Sequence, residues 1–151
     1  MALEQQIQKD IMEAMKTHDT VRLNAVRAIK SEILLAKTSS TEHELEDSDV
    51  MKLIQKLVKQ RKESAEMYVQ AGRQELADNE LAEAKFMESY LPKALSEDEV
   101  RNMLKQIIAE VGASSPKDMG KVMGAATKRL AGQADGRTIS TIVKELLSES
   151  Q

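Results

Sequence analysis

Apolar side chains recur every three or four positions along almost the whole of this chain, a spacing that one face of an α-helix satisfies and a strand does not. Leu3, Ile7, Ile11 and Met15 mark a first helix. A break at Thr17-His18-Asp19-Thr20 leads to a second, with Val21, Ala25, Ala28/Ile29 and Ile33 on one face, and the two make an αα-hairpin. The polar run from Lys37 to about Asp47 has no period and many cap-forming residues, so it is a loop. Val50, Leu53/Ile54, Leu57/Val58, Ala65 and Tyr68/Val69 define a long third helix that stops near Gly72, a natural left-handed cap. A fourth runs through Leu76, Leu81, Ala84, Met87 and Leu91.

Proline ends that run. Pro92 lacks an amide donor and pushes Leu91 out of helical geometry, which places a domain boundary in Leu91-Pro92-Lys93-Ala94-Leu95. Ser96 and Glu99 form a capping box that opens a fifth helix through Val100, Met103/Leu104, Ile107/Ile108 and Val111, ending at Gly112. Ser115-Pro116-Lys117-Asp118 starts a sixth in the same way, with proline at the first helical position and an acid near the positive end. Asp135 caps a seventh, with Ile139, Ile142/Val143 and Leu146 inward. The expected fold is all-α: an N-terminal helical bundle over residues 1–95 and a small three-helix C-terminal domain over 96–151. With three aromatic residues in 151, aliphatic and methionine side chains must build the cores. A chain of this size can bury roughly two thirds of its unfolded surface, enough for two small domains.

Several function classes drop out. Without cysteine there are no disulfides, thiolate metal sites or cysteine nucleophiles. The N-terminus has no signal or transit character and no apolar stretch approaches the roughly 20 residues of a membrane span, so a cytoplasmic protein with no membrane partner is expected. His18 and His43 lie in separate loops without metal-ligand spacing, so no metal is expected. Residues 124–128, Gly-Ala-Ala-Thr-Lys, lack the register of a phosphate loop and read as helix interior. Carboxylate groups such as Glu42/Glu44 and Glu97/Asp98/Glu99 fit solvation and capping. No residue is assigned a catalytic role and no cofactor is expected.

What remains distinctive is the last third, which holds five of the six glycines. Gly112, Gly132 and Gly136 read as turn residues. Gly120 and Gly124 fall inside the sixth helix, where each costs roughly 1 kcal/mol relative to alanine. Two accounts compete for them: close packing against a neighbouring helix, with Gly124 and Ala125 the favoured packing positions, or close approach of a nucleic-acid backbone. From Gly112 to Leu147, Lys117, Lys121, Lys128, Arg129, Arg137 and Lys144 outnumber Asp118, Asp135 and Glu145, although the net charge of the whole chain is −3. These six residues are the candidate nucleic-acid-binding set, and the amide-rich start at Ser115 is a further place for a phosphate. An ordinary solvated face is the competing reading, since stacking aromatics are missing. A second basic stripe, Lys52, Lys56, Lys59, Arg61 and Lys62, has Glu63 and Glu66 in range for intrahelical pairing. Tyr68 and Tyr90 are expected to be half-buried with wet hydroxyls, and the methionines to fill core space.

The run Gly-Ala-Ser-Ser-Pro-Lys-Asp-Met-Gly-Lys-Val-Met-Gly at 112–124, the Ala-Asp-Gly-Arg at 134–137, the Val-Lys-Gln-Arg-Lys-Glu-Ser at 58–64 and the Tyr-Leu-Pro hinge at 90–92 together resemble the YqeY-like proteins of the GatB/YqeY family, in order and spacing over essentially the whole chain. The family relates such free-standing proteins to the helical tail of the B subunit of aspartyl/glutamyl-tRNA amidotransferase, which helps to hold the tRNA. The resemblance implies a tRNA-binding or tRNA-metabolism accessory without its own catalytic centre. Alternatives are a protein-interaction module docking on a partner enzyme, and a carbon–nitrogen ligase with glutamine as amide donor, which the family label alone implies. Oligomeric state is left open.

Overall fold

The computed structural model describes residues 2–39 and 44–149, so the expectations for Glu42 and His43 lie outside the described residues. Among the described residues there are seven α-helices and no strand. The chain divides into two units, Met1–Leu91 and Pro92–Gln151.

The first unit holds α1 (Ala2–Thr17), α2 (Thr20–Ser39), α3 (Asp47–Gln70) and α4 (Gln74–Glu88). The α1–α2 turn is made by His18, exposed and in the left-handed region at φ 57°, and by Asp19, whose Oδ1 accepts the Arg22 amide at 3.1 Å. The second helix continues two residues past the expected start of the loop at Lys37. Gly72, at φ 74°, makes the tight turn from α3 to α4. Ile7, Ala25, Ile29, Ile33, Val50, Ile54, Leu57, Val58, Ala84 and Met87 form one core, where each large aliphatic side chain is worth about 1.5–3 kcal/mol.

Among the described residues two acids sit in that unit's interior, and each is matched. Asp10 accepts from the Tyr90 hydroxyl at 2.5 Å and from Gln6 Nε2 at 3.0 Å, with Arg22 at 3.6 Å. Arg22 in turn lies over the Phe86 ring at 5.3 Å, and Phe86 meets Tyr90 edge-on. The Tyr90 hydroxyl is therefore bonded inside the protein, where a wet hydroxyl was expected. Burial, and then the bond to Asp10, push its pKa far up. Glu83 accepts from Asn79 at 3.1 Å and faces Arg61 at 3.9 Å; burial raises its carboxyl above the usual range and Arg61 opposes the rise.

The second unit holds α5 (Glu97–Val111), a single 3₁₀ turn at Pro116–Asp118, α6 (Met119–Arg129) and α7 (Gly136–Glu149). Both sides of the Ser96–Glu99 box are made, and Gly112 caps α5 at φ 71°. Asp135 Oδ1 accepts the Thr138 amide at 2.7 Å to start α7. Gly136 is the first residue of that helix rather than part of a turn. Val100, Leu104, Ile107, Val122, Ala126, Leu130, Ile139, Ile142, Val143, Leu146 and Leu147 make a second core. Leu95 packs against it and donates its amide to Gln133, so the segment after Pro92 belongs to this unit.

Candidate nucleic-acid interface

The sixth helix presents Val122 and Ala126 to the core, both fully buried. At 100° per residue, Gly120, Lys121, Gly124 and Lys128 fall on the opposite side, and all four are exposed. Lys117, on the 3₁₀ turn just before, is exposed as well. A Cβ built on Gly120 or Gly124 would meet nothing within 4 Å. Close packing therefore does not account for these two glycines: their surface is open, with lysines beside it.

The six candidate cations are spread over the 3₁₀ turn, α6 and α7. Lys121 and Lys128 share the outer side of α6 with the glycines, and Lys117 is exposed on the turn before it. Arg137 and Lys144 lie seven apart on the exposed side of α7, away from its buried stripe of Ile139, Ile142, Val143, Leu146 and Leu147. Arg129 turns toward α5, where its guanidinium pairs with Glu110 and that carboxylate raises its pKa. No acid pairs with the other five among the described residues. Arg101 holds Glu145 at 2.5 Å, which takes the acid next to Lys144 out of competition.

The start of the 3₁₀ turn is already occupied. Asp118 Oδ2 accepts from the amides of Ser114 at 2.9 Å and Ser115 at 3.3 Å. The Ser114 bond is the main cause of its lowered pKa; desolvation opposes it, and the Ser115 bond and Lys121 add to the lowering. A phosphate at Ser115 would have to displace a carboxylate, so the expected anion site at these amides is filled from within.

The second basic stripe is spent differently from expectation. Lys56 pairs with Glu32 at 3.6 Å, Lys62 with Glu88 at 2.7 Å, and Arg61 with Glu80 at 3.6 Å as well as Glu83. These are bonds between helices, not within α3, and they leave Glu63 and Glu66 unpaired among the described residues. Lys52 and Lys59 remain as isolated surface charges.

The missing signal in the sequence was the joint phase of two patterns. Lysines 121 and 128 and glycines 120 and 124 share one side of a helix whose other side carries Val122 and Ala126. Taken separately, glycines suggest packing and lysines suggest solvation. Together they mark an uncovered helix surface with positive edges.

Among the described residues no three of His, Cys, Asp and Glu gather closely enough to hold a metal ion. No described helix is long and apolar enough to cross a membrane. Residues 4–147 match the model of the Yqey-like protein family. The chain is 28% identical over 136 residues to the mitochondrial "altered inheritance of mitochondria protein 41" of Kluyveromyces lactis, covering 88% of this chain and 69% of that one. It is 27% identical over 144 residues to the protein of the same name in Pyrenophora tritici-repentis, covering 93% and 78%. Those names carry the word mitochondrial, whereas the expectation for this chain is a cytoplasmic setting.

Proposed function

This chain belongs to the Yqey-like protein family, and we propose that it is a non-catalytic accessory that holds tRNA on the outer side of α6. The observation that carries this reading is the open surface over Gly120 and Gly124 edged by Lys121 and Lys128, with Lys117 exposed on the turn before it. Phosphates pair with the three ammonium groups. The absence of side chains at 120 and 124 lets a ribose–phosphate strand approach the helix backbone between them. Such contacts read charge and shape rather than base sequence, and they need no stacking aromatic. The resemblance to the amidotransferase tail, which helps to hold tRNA, points the same way.

Binding of purified protein to total tRNA across a salt series tests this. Saturable binding is expected, weakening with salt, and in K117A/K121A/K128A the slope of log K against log salt should fall by about 2–3, close to one per lost phosphate contact. Removing Arg129 should leave the slope unchanged, because Glu110 already holds its charge. No saturable binding at low salt, or an unaltered slope in the triple variant, would overturn the reading.

A further inference from the structure

The hairpin of α3 and α4 outruns the helices that cover its root. Asp19, Val21 and Arg22, at the α1–α2 turn, share a groove with Ala82, Lys85 and Phe86 of α4. The four-helix core takes α3 residues only as far as Val58 and α4 residues only from Ala84. Between there and Gly72 the two helices hold each other through the buried Ala65 and Ala77. The stretch from Lys62 to Gln70 adds about 13 Å of arm at 1.5 Å per residue.

That arm carries large apolar side chains on its surface: Met67 is 70% exposed, Val69 51%, Leu81 44% and Leu76 38%. They are four of the eight such residues exposed among those described, a crowding that scattered surface leucines do not produce. Val69 and Leu81 each follow their helix's buried alanine by four residues. In an antiparallel pair, this brings both out on one side of the hairpin, the side of the Lys62–Glu88 bridge. Arg61 and its acids occupy the other.

The unpaired charge around these side chains is mostly negative. Glu63, Glu66, Glu75 and Asp78 have no cationic partner among the described residues, and Arg73 is the one base between them. Four uncompensated carboxylates repel a phosphate backbone, and they equally repel the same tip on a second copy. A surface that welcomes this tip must be apolar at its centre and positive at its edge. We propose that the tip of the α3–α4 hairpin docks into a protein groove that is apolar and rimmed with lysine or arginine. This site is independent of the tRNA surface in the second unit.

Benzoylphenylalanine installed in place of Met67 and activated by light in the cells that make the protein tests this, with the adduct mapped by mass spectrometry. The expected adduct joins one protein through a segment that sets Lys or Arg beside apolar residues. Its yield should fall about tenfold in E63Q/E66Q/E75Q/D78N, and comparably in V69S/L81S. Adducts only to RNA or to a second copy, a receiving segment that is acidic, no adduct, or a yield unchanged in both variants would overturn the proposal. The substituted positions are all exposed, so the circular dichroism of the purified variants should match that of the parent. Where one of them unfolds, the single variants E66Q and L81S decide.

Discussion

Gly124 offers the sharpest check on how the sixth helix is used. It lies in the middle of α6 (Met119–Arg129), is exposed, and has nothing within 4 Å of where a Cβ would stand. Alanine there loses no contact and gains helix propensity, so Gly124→Ala should stabilise the second unit by about 1 kcal/mol. Gly120 sits in the first turn, where the propensity gain is smaller, so Gly120→Ala should add only a fraction of that. For a unit of this size, 1 kcal/mol raises the thermal midpoint by about 4–8 °C. Melting followed by circular dichroism at 222 nm, with a urea titration beside it, reads the difference. If Gly124→Ala lowers the midpoint, the helix surface is covered and the account of an open contact surface fails. If stability rises while tRNA affinity drops, the glycine is kept for contact at the expense of stability, which is the outcome the proposed function requires.

Tyr90→Phe removes a hydroxyl from the buried Asp10 carboxylate and should cost about 1.5–3 kcal/mol in denaturant titrations, with most of it recovered as coupling energy in a cycle with Asp10→Asn. The raised Tyr90 pKa also fixes a sign: its contribution is whole below the unfolded value of about 10 and is lost at higher pH, so the parent should lose stability in alkali faster than Tyr90→Phe. Asp118 behaves oppositely. Its pKa is lowered by the Ser114 amide, so its contribution is present above the unfolded carboxyl range and disappears as pH falls through the folded value. Asp118→Asn should therefore melt lower than the parent at neutral pH and converge with it in acid.

Local chemistry was legible in the sequence wherever a residue's partner lies within one turn. The Ser96–Glu99 box, the left-handed Gly72 and Gly112 and the Asp135 cap all stand where their residue types place them. The filled amides at Ser115 were readable in the same way, since the acid that fills them is three residues on. Periodicity gave the helices but not which apolar stripe is covered. Met15, Val69, Leu76 and Leu81 fit the helical spacing and are exposed, while Ala14 and Ala77, outside the expected stripes, are buried near them. Small seam residues carry little hydropathy, so only the neighbouring helix reveals them. The pairing of Lys62 with Glu88 and of Arg61 with Glu80 lies beyond any i, i+4 rule for the same reason.

The bond between Asp10 and Tyr90 spans 80 positions and joins the first helix of its unit to the residues just after the last. During synthesis the carboxylate emerges early and its phenol late, about 4–16 s apart at 5–20 residues per second. Through that interval the first helix has Gln6 and, later, Arg22 to answer its acid, but no lid over it. The N-terminal unit is thus a structure that closes on its final turn: a nascent chain halted before Tyr90 should protect the amides of α1 less than one released past Pro92.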